Sequence, residues 1–122
     1  MNKLLPKPLL ILLGGLFVIN LLQAYATELI YDEAYYWYYS QNLSWGYFDH
    51  PPMVAWMIAL GYGFFQNELG VRLVSCLLGT GTALLIWSLV RHPEKKVFYK
   101  EFFIWILSIT LLHAYGFFIS PD

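Results

Sequence analysis

"PMVAWMIALGYGFF", residues 52–65, decides how this chain is threaded. The segment carries no charge, yet it is only about 14 residues long, and a helix needs about 20 apolar residues to cross a bilayer. That length fits an interfacial or re-entrant helix. Three other segments are long enough to cross: about 8–26, about 71–90 and about 98–119. The basic residues then set the parity. Lys3 and Lys7 precede the first span, while Arg91, Lys95 and Lys96 follow the second. Cytoplasmic loops are enriched in Lys and Arg, so both groups belong inside. Two crossings between them satisfy this, and a further crossing through residues 52–65 would separate them. The sequence therefore predicts an all-α, polytopic membrane protein of about three transmembrane helices. Its extracytoplasmic loop, about 27–70, carries interfacial helices over about 33–43 and about 52–65.

Composition agrees. Of 122 residues, 59% are apolar, 20% aromatic and only 12% charged, against about 25% charged in a soluble domain. The net charge is −1 and no basic run points to nucleic acid. The single cysteine, Cys76, excludes an intrachain disulfide and a cysteine metal cluster, and reads as a small buried or lipid-facing residue. "KLLPKPLLILLGGLFVINLLQAYA" has the basic start, apolar middle and A-x-A end of a signal peptide. Two further spans follow it, and the next loop is external on either reading. Gly79 and Gly81 in "LLGTGTALL" read as close-packing glycines, because no strand precedes them to form a phosphate loop. No repeat or linker divides the chain.

Within the external loop, "ELIYDEAYYWYYSQNLSWGYFDHPP" places Asp32, Glu33, Asp49 and His50 among tyrosines and tryptophans. Each has a plain reading. Asp32 is a candidate N-cap with Glu33 in the first turn, and Asp49 or His50 could start a helix before Pro51 and Pro52. The aromatics form an interfacial belt. The functional reading starts from cost, since ionisable groups beside hydrocarbon survive where they face a polar cavity. A carboxylate there can take a proton from an attacking hydroxyl. Asp49, His50 and Glu33 could hold a divalent cation, and that cation or Arg72 could counter the charge on a departing phosphate. By parity, Asp122 reaches the same membrane face after the third span. Arg72 otherwise snorkels at the outer end of the second span. His92 reads as a solvated residue of the basic loop, and His113 as a helix-packing histidine.

The ordered set "YDEAYYWYYSQNLSWGYFDHPPMVAW", "GVRLVSCLLGTGTALLIWSLV" and "SPD" resembles the N-terminal part of bacterial GT-C glycosyltransferases. That superfamily includes protein O-mannosyltransferases and the lipid A aminoarabinose transferases. The resemblance implies a bacterial inner-membrane enzyme with a cytoplasmic N-terminus and an extracytoplasmic site. Such an enzyme passes a sugar from a polyprenyl-phosphate donor to a protein, lipid A or glycan acceptor, with inversion. It assigns Asp32, Glu33 and Asp122 to the catalytic centre: Asp32 as the base or acceptor-orienting group, Glu33 as its structural or supportive neighbour, and Asp122 as a second acidic residue lining the same cavity. Tyr35, His50 and Arg72 are assigned to substrate binding, and Asp49 to a divalent metal ion, the one cofactor expected. Histidine at position 50, where lipid A transferases carry lysine, departs from the aminoarabinose pattern.

Family enzymes have more spans than three, so the chain is expected to be a fragment of a larger GT-C fold, inactive in isolation. Two other classes compete. A non-catalytic membrane subunit would use the aromatic loop for docking and would tolerate loss of Asp32 and Asp49. A transporter would place its acids near mid-membrane, whereas these cluster at span ends.

Overall fold

A computed structural model describes residues 5–48, 50–91, 93–94, 97–109 and 119. Those residues form five helices and no strand: α1 (Lys7–Ala26), α2 (Tyr31–Ser40), α3 (Met53–Tyr62), α4 (Glu68–Leu89) and α5 (Tyr99–Ser108). The described residues are all-helical in their regular structure, and α1 and α4 are long and apolar enough to cross a membrane. Of the third predicted span, 98–119, helix α5 covers the first part, and residues 110–118 lie outside the described residues.

The helix ends follow local chemistry. Helix α1 opens behind Pro6, with Pro8 in its first turn, where the missing N–H costs nothing. Helix α4 is capped by Asn67, whose Oδ1 accepts from the Gly70 N–H at 3.2 Å. Helix α2 begins two residues before the position expected from Asp32 as N-cap. Ile30 is the cap residue, and the Glu33 carboxylate reaches back to the Ile30 N–H at 3.2 Å. Asp32 therefore sits inside the first turn. Helix α3 starts behind Pro52, so neither Asp49 nor His50 is its cap residue. Ten residues at about 1.5 Å each give α3 a length of about 15 Å, roughly half the hydrocarbon thickness.

Helices α1 and α4 pack antiparallel. Leu9 and Leu13 from the start of α1 share a buried cluster with Ala83 and Trp87 from the end of α4, closed by Phe102 and Ile106 of α5. At the other end of the pair, Ala24 meets Arg72. The chain therefore leaves α1 and enters α4 at one end, and residues 27–67 are built there. Tyr36, Val54, Ile58, Val71 and Ile119 form the second buried cluster, under that segment.

Helix α3 turns into α4 through a very close backbone approach. A methyl group at Gly70 would overlap the Phe65 carbonyl, and one at Gly61 would overlap the Gly70 carbonyl. Gly81, expected with Gly79 to allow close packing, has nothing within 4 Å of its missing Cβ among the described residues, whereas Gly61 and Gly70 sit at the closest backbone approach. Gly70→Ala must spread the α3–α4 corner and is expected to cost about 1–3 kcal/mol, the usual penalty for overpacking. Thermal unfolding in detergent checks this, with Gly81→Ala as the variant that should leave the midpoint unchanged or raised.

Candidate active site

The segment between α1 and α4 is organised around one buried ion pair. Glu33 and Arg72 are both 0% exposed. Arg72 Nε donates to Glu33 Oε1 at 2.8 Å and Nη2 to Oε2 at 2.5 Å, the two-pronged geometry that suits guanidinium and carboxylate. The remaining donors serve the backbone: Nη1 reaches the carbonyls of Ala24 at 3.1 Å and Thr27 at 2.7 Å, and Nη2 that of Glu28 at 2.9 Å. A helix leaves its last carbonyls without partners, and Arg72 satisfies that of Ala24 from another helix. Glu33 also accepts the backbone N–H of Ile119 at 3.3 Å. One residue pair thus ties together the end of α1, the start of α2, the start of α4 and Ile119.

This arrangement bears on two residues of the expected site. The Arg72 guanidinium is enclosed, and its donors are directed at protein acceptors. Glu33, equally enclosed, holds the backbone on which Asp32 stands. Asp32 is different. It is exposed on the first turn of α2 and, among the described residues, makes no hydrogen bond or ion pair.

Along α2, side chains three, four and seven residues on share the face of Asp32, which places Tyr35, Tyr36 and Tyr39 beside it. The hydroxyls of Tyr35 and Tyr39 lie 2.5 Å apart. The His50 ring stands edge-on to Tyr35 and Tyr36, at 5.9 and 5.1 Å between centroids. The structure therefore joins Tyr35 with His50, and Glu33 with Arg72, on one end of the helix pair. Asp49, Asp122, His92 and His113 lie outside the described residues. Ile119, shortly before Asp122 in the chain, is buried against Glu33. Among the described residues no three His, Cys, Asp or Glu side chains converge as metal ligands.

Tyr47 holds the loop that carries His50, a role the sequence hid among ten tyrosines. Its hydroxyl donates towards the Tyr39 and Asn42 carbonyls at 3.0 and 3.1 Å and accepts from the Ser44 N–H at 3.3 Å. Its ring stacks on Tyr39 at 4.2 Å, and its N–H bonds the His50 carbonyl at 3.3 Å. Tyr47→Phe keeps the stack and loses the hydroxyl bonds. It is expected to cost about 1 kcal/mol and to speed amide exchange over residues 43–50. Unchanged exchange there would show that the ring alone holds the loop.

Residues 49–115, more than half of the chain, match the family model described as dolichyl-phosphate-mannose-protein mannosyltransferase. The chain belongs to this family. The matched stretch takes in His50, α3 and Arg72, while Asp32, Glu33 and Tyr35 precede it. Lipid A galacturonosyltransferase RgtD of Rhizobium johnstonii is 51% identical over 87 residues, covering 69% of this chain and 18% of that protein. An uncharacterized protein of Aquifex aeolicus is 36% identical over 77 residues, covering 61% of this chain and 15% of its own length. The chain thus spans less than a fifth of the length of these curated family relatives. No solved structure matches it.

Proposed function

We propose that the full-length protein is a glycosyltransferase of the bacterial inner membrane. It moves a sugar from a polyprenyl-phosphate carrier to an acceptor on the extracytoplasmic side. Family membership supports the reaction class. The observation that carries the residue assignment is the contrast within one dipeptide: Glu33 is sealed into an ion pair, while Asp32 stands open beside Tyr35.

In the proposed step the Asp32 carboxylate accepts the proton of the acceptor hydroxyl as its oxygen attacks the anomeric carbon. The bond from that carbon to the carrier phosphate breaks, polyprenyl phosphate leaves with the electron pair, and configuration inverts. Charge grows on the departing phosphate, where a positioned donor lowers the barrier. An N–H of His50, held by Tyr47 and flanked by Tyr35, suits that task better than enclosed Arg72. Likeness to RgtD makes lipid A and a galacturonosyl donor the first pair to try. The test is an assay of the full-length protein in membranes with that donor, reading sugar on lipid A by mass spectrometry. Transfer by the wild type that disappears in Asp32→Asn, at equal protein level, supports the reading. Equal transfer by both removes Asp32 from the chemistry.

A further inference from the structure

A chain of tyrosine contacts leads from the loop of His50 to the Asp32 end of α2. The Tyr47 ring stacks on Tyr39 at 4.2 Å, with 22° between the planes, and the Tyr47 hydroxyl donates to the Tyr39 carbonyl at 3.0 Å. Tyr39 is therefore held by its ring and by its backbone. Helical spacing puts Tyr35 one turn before it, on the same face. The two rings meet at 4.7 Å and 62°, and their hydroxyl oxygens stand 2.5 Å apart, a short O–H···O bond. Tyr35 in turn lies edge-on to the His50 ring at 5.9 Å. Each phenol carries one proton and can accept another. Only one of the pair's two protons can lie between the oxygens, so the pair as a unit has one left to donate.

We propose that Tyr39 is a positioning residue, whose hydroxyl fixes that of Tyr35 as a donor to the phosphate of the polyprenyl carrier, beside His50. The proposal rests on the carrier chemistry given above. Tyr35 borders His50, the group set against the departing phosphate, and a hydroxyl donor suits an anion. The acceptor hydroxyl needs a base instead, which is the task of Asp32. A phenylalanine at position 39 would keep the ring contacts with Tyr35 and Tyr47 and lose the bond that orients the Tyr35 hydroxyl. The role therefore belongs to one oxygen atom and is separable from packing.

The test titrates the full-length protein in detergent with polyprenyl phosphate and reads affinity from the rise in unfolding midpoint. Each variant is compared with its own unligated midpoint, so lost stability is not mistaken for lost affinity. Tyr35→Phe removes the direct donor and is expected to weaken binding roughly ten- to a hundredfold, as for a hydrogen bond to a charged group. Tyr39→Phe is expected to weaken it roughly three- to tenfold, as for a neutral bond. In the double variant the Tyr39 loss should vanish, because it acts through Tyr35. Losses that multiply in the double variant, or full affinity in Tyr39→Phe, overturn the proposal. Lipid A, which carries phosphates of its own, is the second ligand, and Tyr39→Phe should leave its affinity unmoved. A loss for lipid A in place of the carrier also overturns it. A wild type that does not bind polyprenyl phosphate removes the carrier reading and this proposal together. Equal sugar transfer by the wild type and Asp32→Asn, with the binding pattern intact, removes the base and leaves the tyrosine pair standing.

Discussion

Arg72→Leu is expected to destabilise the folded protein by about 3–5 kcal/mol, the penalty for leaving a buried charge without its partner. The loss is compound. Glu33 would stay enclosed as an uncompensated carboxylate, and the carbonyls of Ala24, Thr27 and Glu28 would lose their donor. Arg72→Lys should rescue little, because one ammonium cannot copy the planar fork and reach three carbonyls besides. The informative comparison is a double variant. Replacing a buried pair by apolar groups is often close to neutral, so Glu33→Leu with Arg72→Met should recover part of the stability. It should not recover all, since the carbonyls remain bare. Exchanging the charges, Glu33→Arg with Arg72→Glu, should fail outright, because a carboxylate would then face those carbonyls. Thermal unfolding of the detergent-purified full-length protein reads all four. Full recovery on charge exchange would mean that the backbone contacts contribute nothing.

Asp32→Asn is the second large effect and runs the opposite way. Removing a general base costs roughly 10²–10⁴-fold in rate. Asp32 is exposed and makes no hydrogen bond or ion pair among the described residues, so the unfolding midpoint should stay where it is. The neighbouring residues therefore separate two kinds of damage. Changes at Glu33 or Arg72 lower folded protein and activity together, whereas Asp32→Asn lowers turnover in protein that is folded and abundant. A clear fall in unfolding midpoint for Asp32→Asn would put the aspartate in the scaffold.

The apolar segments were plain in the sequence because run length is a physical limit in hydrocarbon. Residues 8–26 and 71–90 stand as α1 and α4 to within a few residues. Local capping was less legible. Asp32 carries the side chain preferred at an N-cap, but the Glu33 bond to Ile30 draws the start of α2 upstream. The ion pair itself was hidden by distance. Its members lie 39 residues apart, and each has a sufficient local explanation, a first-turn acid for Glu33 and an interfacial cation for Arg72. Nothing in spacing or composition says that they meet. Tyr47 was concealed differently: a side-chain hydroxyl closing the end of α2 leaves no mark in a stretch already rich in tyrosine.

The reach of Arg72 along the chain also orders events during synthesis. When α1 leaves the ribosome, the Ala24 carbonyl has to wait 48 residues for its guanidinium donor. Until α4 is inserted, the segment after α1 has no lock, and the Glu33 carboxylate stays hydrated rather than sealed. The Ile119 amide that completes the Glu33 cradle arrives 86 residues after it. Translation paused between these points would leave the segment between α1 and α4 open to proteases, and resuming it would close the latch in two steps.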